Sequence, residues 1–146
     1  MQNVRIVEIP KCKMVSSGTG MFGEEKFGRF FQWFAGQPKT IYPKDFLYHN
    51  GEGFVWLYLY DESLTPPKEF EIVDFEGGLY SVATDIDQQT NIEEMDRQVN
   101  DFLDKNGFER DDRRYRMGNI ITSSLANEIL GYHQMDYYSP IKKKTR

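Results

Sequence analysis

The segment from Phe54 to Tyr60 alternates aromatic and aliphatic residues, a pattern that can form a binding surface. Successive side chains of an extended strand point to opposite faces, so one face carries the aromatic residues and the other carries valine and leucine. Aromatic rings stack on planar molecules and attract cations by about 0.5 to 2 kcal/mol. The polar tips of tyrosine and tryptophan need partners in a core but meet water or a guest in a cleft. The pattern predicts a surface for flat apolar molecules, and an aromatic core is the alternative. The aromatic face comprises Phe54, Trp56, Tyr58 and Tyr60.

Three other patterns fall short of a chemical site. The glycines from Gly18 to Gly23 have dinucleotide-loop spacing, but the helix predicted after them leads to a hairpin instead of a parallel strand. Cys12 lies between two lysines but has no base nearby in sequence, which favours a passive strand cysteine. His49 and His133 lack the neighbouring ligands of a metal site. We therefore expect no cofactor and no bound metal.

Composition limits the classes of protein that the chain can represent. A length of 146 residues suits one domain, and one cysteine excludes an internal disulfide. The sequence offers no signal-peptide pattern and no apolar run of the ~20 residues that a membrane span needs, so we expect a cytoplasmic protein without a membrane partner. A net charge of -5 disfavours direct binding of nucleic acid and slightly favours cationic small molecules.

Hydrophobic periodicity predicts two main helices. Phenylalanines recur at helical spacing between Glu24 and Ala35, and Gly36 ends that pattern. A second helix is expected to begin at a capping box formed by Thr90 and Glu93 and to end at Asn106-Gly107. The expected buried face of this second helix comprises Ile92, Met95, Val99, Phe102 and Leu103.

The predicted elements repeat along the chain. Each half contains two extended runs, a helix and two further strands, and both halves begin with an apolar-apolar-acidic-apolar pattern, Ile6 to Ile9 and Ile72 to Phe75. Repeat 1 covers about residues 1–62, repeat 2 about residues 68–142, and a basic tail covers 142–146. The predicted fold class is α+β, with duplicated βαββ units in antiparallel sheets that enclose a central aromatic cleft. Strands are expected at 4–9, 12–17, 45–49, 54–60, 70–75, 79–84, 118–123 and 133–141, with a short turn or helical piece at 125–130.

Two stretches resemble the GyrI-like effector-binding family. They run from Phe70 to Thr84, through the Gly77-Gly78 kink, and from Leu130 to Lys142, closing on Ser-Pro-Ile-Lys. The resemblance covers nearly the whole chain as one domain, residues 1–146. It implies SHS2-type βαββ units related by a pseudo-two-fold axis. It also implies the ligand-sensing role that such domains have in AraC- or MerR-type multidrug regulators and in stand-alone proteins.

The resemblance further implies a cleft in which an acidic residue and aromatic rings contact lipophilic cations. Phe75 and Tyr80 match the aromatic positions of the family. The family's glutamate precedes the final strand pair, where this sequence has Arg116 to Asn119, so Glu8 or Glu76 is left to supply the acid. The full set of predicted ligand-binding residues is Trp33, Tyr48, Trp56, Tyr58, Phe75, Tyr80, Tyr137, Tyr138, Glu8 and Glu76.

Three functions are consistent with this sequence. The first is a stand-alone effector- or multidrug-binding protein for planar lipophilic small molecules, cationic ones included. The second, implied by the resemblance, is a hydrolase of electrophilic, cyclopropane-bearing toxins that uses the same cleft, although no catalytic residue is identified. The third is an inhibitor of DNA gyrase or a transcription co-regulator that acts through a protein partner, and the sequence leaves the oligomeric state open. Candidate contacts for such a partner are the acidic residues Asp101, Asp104, Glu109, Asp111 and Asp112.

Overall fold

The computed structural model describes residues 4–145, and the predicted class, α+β with antiparallel strands, is confirmed. Residues 1–3 and Arg146, the last residue of the predicted tail, lie outside the described residues. The helices are α1 (Glu25–Ala35), α2 (Ile92–Asn106) and α3 (Ser124–Leu130). The strands are β1 (Val4–Ile9), β2 (Cys12–Ser16), β3 (Asp45–His49), β4 (Phe54–Leu59), β5 (Glu71–Phe75), β6 (Gly78–Ile86), β7 (Phe108–Arg110), β8 (Met117–Ile120) and β9 (Gln134–Lys143).

The chain divides into two compact units. The central unit consists of residues 10–77, and the terminal unit consists of the described residues in 1–9 and 78–146. In the central unit the strands pair in the order β3, β4, β2, β5. In the terminal unit they pair in the order β1, β6, β9, β8, and β7 pairs with the end of β9. All these pairings are antiparallel.

The first strand of each sequence repeat belongs to the sheet of the other. Strand β1 pairs with β6 over six residues, from Val4 opposite Ala83 to Ile9 opposite Gly78. Strand β5 pairs in the same way with β2. The compact units therefore differ in boundaries from the repeats of the sequence, although the predicted elements follow one another in the predicted order, with β7 added in the second repeat.

Helix α2 forms the core of the terminal unit. Val99 and Leu103 are buried against Ala83 and Ile141, with Phe102 partly buried beside them. The helix ends as predicted at Gly107, whose φ of 79° suits glycine. The predicted capping box is wrong by one residue, because Asn91 is the N-cap and its side chain accepts a hydrogen bond from the Glu94 amide.

The predicted buried face of α2 wrongly included Ile92, which lies in the first turn and is 45% exposed. Strand β7 was not predicted, since three residues are too few for a detectable alternation. The basic tail is shorter than predicted, because β9 continues to Lys143, which pairs with Phe108.

Helix α1 packs on the aromatic face of β4 in the central unit. Phe30 is completely buried and contacts Phe70 edge-on, with ring centroids 4.9 Å apart. Val15 and Tyr58 complete the buried part of this cluster. The predicted alternation of β4 is confirmed, because Val55 and Leu57 belong to a separate cluster around Met14.

We predict that Leu103→Ala destabilises the protein by about 2 to 5 kcal/mol, since it removes a fully packed side chain and leaves a cavity. The matched control is Ile92→Ala on the same helix, which should change the free energy of unfolding by about 0.5 kcal/mol or less, as exposed sites do. Urea unfolding of both variants measures the difference. Equal losses would show that α2 is not held by the face described here.

Candidate ligand-binding site

The sheet of the terminal unit packs on α2 with one of its two faces, and α2 does not cover the opposite face. Ala83 lies on the α2 side, so its neighbours Val82 and Thr84 point to the other side. The strand register places Tyr138 opposite Val82 and Asp136 opposite Thr84. We call the side that carries these residues the helix-free face.

A buried carboxylate occupies this face. Asp136 is 6% exposed, and its Oδ2 lies 3.0 Å from Nη2 of Arg5 on the exchanged strand β1. Its Oδ1 accepts a hydrogen bond from the hydroxyl of Thr84. A buried carboxylate needs such partners because the loss of its hydration costs several kcal/mol. Both oxygens of Asp136 are therefore engaged.

Asn119 lies beside Asp136, and its register partner on β9 is Asp136 itself. The residue is 4% exposed, and its side chain hydrogen-bonds that of Tyr138. Its Oδ1 is buried and has no hydrogen-bond partner among the described residues. An unpaired buried carbonyl costs about 1 to 3 kcal/mol, so this atom is a ready acceptor for a bound molecule.

Tyr138 is the third residue of this polar cluster, next to Asn119 and Asp136. Burial raises the pKa of its phenol, and the negative charge of Asp136 raises it further, while Arg5 and the hydrogen bond from Asn119 act in the opposite direction. The hydroxyl therefore stays protonated at neutral pH. Its ring meets that of Tyr80 edge-on, with centroids 6.2 Å apart. The helix-free face thus combines aromatic surface with polar groups.

The two adjacent tyrosines of β9, Tyr137 and Tyr138, point to different faces of the sheet. Tyr137 points to the α2 side, where its hydroxyl lies 2.8 Å from the Thr90 hydroxyl oxygen. Tyr137 and Tyr138, both predicted ligand-binding residues, therefore point to opposite faces of the sheet, as consecutive strand residues do. Tyr80 is 2% exposed, and the guanidinium of Arg114 lies 4.8 Å from the centre of its ring.

The predicted aromatic residues of the central unit lie on both sides of its sheet. Trp33 of α1 packs in one cluster with Trp56 and Tyr58 of β4. The ring of Tyr58 stacks on that of Phe34, with centroids 5.4 Å apart. The indole N–H of Trp56 donates to Asp45 at 3.0 Å, which supplies the partner that its polar tip needs. Burial raises the pKa of Asp45, although this hydrogen bond opposes the shift. These residues form the aromatic core that was the alternative interpretation. Tyr48 and Phe75 instead contact the aliphatic cluster of the opposite side.

The predicted acids do not provide a buried charge. Glu8 and Glu76 are both exposed, and Glu8 lies opposite Leu79, which packs on the α2 side. Asp136 is the buried acid that sequence reasoning missed. Its signal was an acidic residue between Met135 and Tyr137 in a strand, inside the stretch that carried the family resemblance.

One proposed acidic contact is not on the surface. Asp111 is 6% exposed, and the hydrogen bonds and charge of Arg113, together with the hydrogen bond of Arg114, lower its pKa to about 2. Arg114 also donates to the carbonyl oxygens of Leu79 and Ile141, at 3.0 and 2.8 Å. Asp111 therefore anchors an internal arginine, and the prediction that it belongs to an exposed patch is wrong.

A cavity of about 230 Å³ lies on the α2 side of the terminal unit. It is bordered by mixed polar and apolar side chains and by none of the predicted aromatic residues, and Thr84, the donor to Asp136, is among the residues that line it. Its lining residues include Val4, Asp85, Asn91, Glu94 and Gln98. No helix within residues 4–145 has the length and apolar character to cross a membrane.

The fold is similar to that of several solved structures, although no protein-family model and no curated protein sequence matches the chain. A hydrolase from Listeria innocua aligns with a TM-score of 0.68 and 11% identity, over 97% of this chain and 92% of that one. EcmrR in a complex with DNA aligns with a TM-score of 0.63 and 10% identity, over 97% of this chain and 57% of EcmrR. SAV2435 bound to tetraphenylphosphonium aligns with a TM-score of 0.53 and 7% identity, over 95% and 93%. These likenesses show the fold, which is compatible with the GyrI-like arrangement.

We predict that Asp111 makes stability depend on pH in the acid range. Its pKa of about 2 in the folded protein lies below the value of ~3.9 in an unfolded chain. Its contribution is therefore complete above about pH 4 and is lost as the pH falls toward 2. Asp111→Asn should melt below the parent at pH 7, and the difference should shrink at pH 2.5.

Thermal melting at both pH values measures this effect, and the control is Asp112→Asn at the exposed neighbouring position. This control should follow the parent at each pH. A constant difference between Asp111→Asn and the parent across the acid range would contradict the assignment.

Proposed function

We propose that this chain is an effector- or multidrug-binding protein that takes planar lipophilic small molecules onto the helix-free face of the terminal unit. The observation that carries the proposal is the buried, unpaired Oδ1 of Asn119. Buried polar groups in proteins are normally hydrogen-bonded to protein or to water, so an unpaired acceptor is open to a partner from outside the chain. A few polar groups placed among apolar and aromatic side chains are typical of small-molecule sites.

The surroundings of Asn119 fit a flat guest. Apolar and aromatic side chains share its face by strand register, and rings offer stacking surface. The apolar members are Val7, Tyr80, Val82, Met117 and Tyr138. The fold likeness to SAV2435, which was solved with tetraphenylphosphonium, supports small-molecule binding as the role of this architecture. The likeness to EcmrR in its DNA complex supports regulation of transcription as one purpose of binding.

Hydrolysis is the second candidate, favoured by the likeness to the Listeria innocua hydrolase. A general base needs a carboxylate or phenolate that is free to accept a proton. On the helix-free face both oxygens of Asp136 are engaged and Tyr138 is held protonated, which favours binding over catalysis. Incubation with an electrophilic, cyclopropane-bearing compound separates the two, because a hydrolase releases a ring-opened product and a binding protein returns the compound unchanged.

We predict that a thermal-shift screen yields at least one ligand. The screen contains planar aromatic compounds and, in addition, the non-planar cation tetraphenylphosphonium. A ligand at 100 times its dissociation constant stabilises the folded state by about 2.7 kcal/mol, which is readily measured. Tyr138→Phe should then change the dissociation constant by about fivefold, since a hydrogen bond near the site contributes about 1 kcal/mol.

The matched control is Tyr137→Phe, the adjacent residue on the opposite face, which should leave the dissociation constant unchanged. Calorimetric titration of both variants tests the assignment. A library without any ligand would contradict the proposed function, and equal effects of the two substitutions would contradict the choice of face.

A further inference from the structure

We propose that the helix-free face selects neutral planar molecules that carry an N–H donor, and that Arg5 is the residue that disfavours cations. This inference rests on the proposed function and specifies its ligand class. It is argued from three polar residues of the face, Arg5, Asn119 and Asp136, of which Asp136 accepts from Thr84 and Asn119 bonds to Tyr138.

The first step concerns the charge of the face. A buried cationic guest is stabilised most strongly by an available carboxylate, because its own hydration is lost on burial. Asp136 is the buried acid here, and its Oδ2 is paired with Arg5 at 3.0 Å while its Oδ1 accepts from Thr84. The cluster is therefore electrically neutral before any guest arrives. A cation would have to displace Arg5 from Asp136 or lie near its positive charge.

The second step concerns the atom left without a partner. Asn119 is 4% exposed, its side chain is already bonded to Tyr138, and its Oδ1 is unpaired. A carbonyl oxygen accepts and cannot donate, so its complement is an N–H or O–H group. Sites that hold a buried acceptor reject analogues lacking the donor, because the acceptor is then left unpaired again.

The third step concerns access and shape. Asn119 and Asp136 are both more than nine-tenths buried, so a molecule bonded to Asn119 is largely shielded from water. The ring of Tyr138 adjoins both residues and contacts Tyr80, which favours a planar molecule that stacks while its donor points to Asn119. A bicyclic aromatic lactam, which is flat, neutral and equipped with one N–H, has this combination.

Three probes of nearly equal size test the selection. Quinolin-2-one is neutral and has the N–H donor, N-methylquinolin-2-one is neutral and lacks it, and N-methylquinolinium is cationic. The intact chain should bind quinolin-2-one about tenfold more tightly than either of the others, the range expected for one hydrogen bond to a buried acceptor. Equal or tighter binding of N-methylquinolinium would overturn the inference.

Three variants test the assigned residues. Arg5→Gln frees Asp136 and should improve binding of N-methylquinolinium about tenfold, whereas the double variant Arg5→Gln with Asp136→Asn should show no such gain. Asn119→Asp keeps the shape, adds a charge and should likewise favour the cation, which provides a test if Arg5→Gln does not fold. An unchanged ranking of the three probes in Asn119→Asp would also overturn the inference.

The two proposals fail in distinguishable ways. If none of the three probes binds while another compound of the screen does, the selection rule is wrong and the binding function stands. If no compound of any class binds, both are wrong. Titration calorimetry with each probe gives the dissociation constants that decide between these outcomes.

Discussion

A buried carboxylate must be compensated, and in this protein that requirement fixes the first strand of the chain. Asp136 is 6% exposed, and its countercharge comes from Arg5, a residue 131 positions away in sequence. The Asp136 side chain is buried although that of Arg5 is 55% exposed, so loss of Arg5 leaves a buried carboxylate without its countercharge, which is destabilising. The ion pair therefore favours the observed pairing of β1 with β6, with Arg5 on the helix-free face. The same pairing makes that face neutral.

Much of the local structure could be predicted from the sequence because it depends on neighbours along the chain. The helical spacing of Phe27 and Phe30 and the stop at Asn106-Gly107 are local signals, and the helices lie close to where these signals placed them. The alternation of β4 correctly divided its residues between two faces. Strand partners are different, because an apolar face does not specify which edge it joins. The pairing of β1 with β6 therefore did not follow from its pattern.

The site was harder to predict than the fold because its residues acquire their properties from distant parts of the chain. Tyr80 and Tyr138 were identified by their aromatic character and do contact each other. Asp136 was missed because its burial is tolerated only with Arg5 and Thr84 beside it. Trp56 was expected in a cleft because of its polar tip, but Asp45 supplies the partner for that tip within the core. The aromatic cleft between the two halves stays a prediction.

The exchange of first strands has a consequence for how the chain is made. Strand β1 leaves the ribosome well before its neighbour β6 and its ion-pair partner Asp136 are synthesised. At about 5 to 20 residues per second, roughly ten seconds pass before the carboxylate that holds Arg5 has been added. During that interval the strand is an unpaired edge of the kind that invites association with other nascent chains. The opposite charges of Arg5 and Glu8 within β1 are the type of feature that keeps such an edge soluble until β6 has been synthesised.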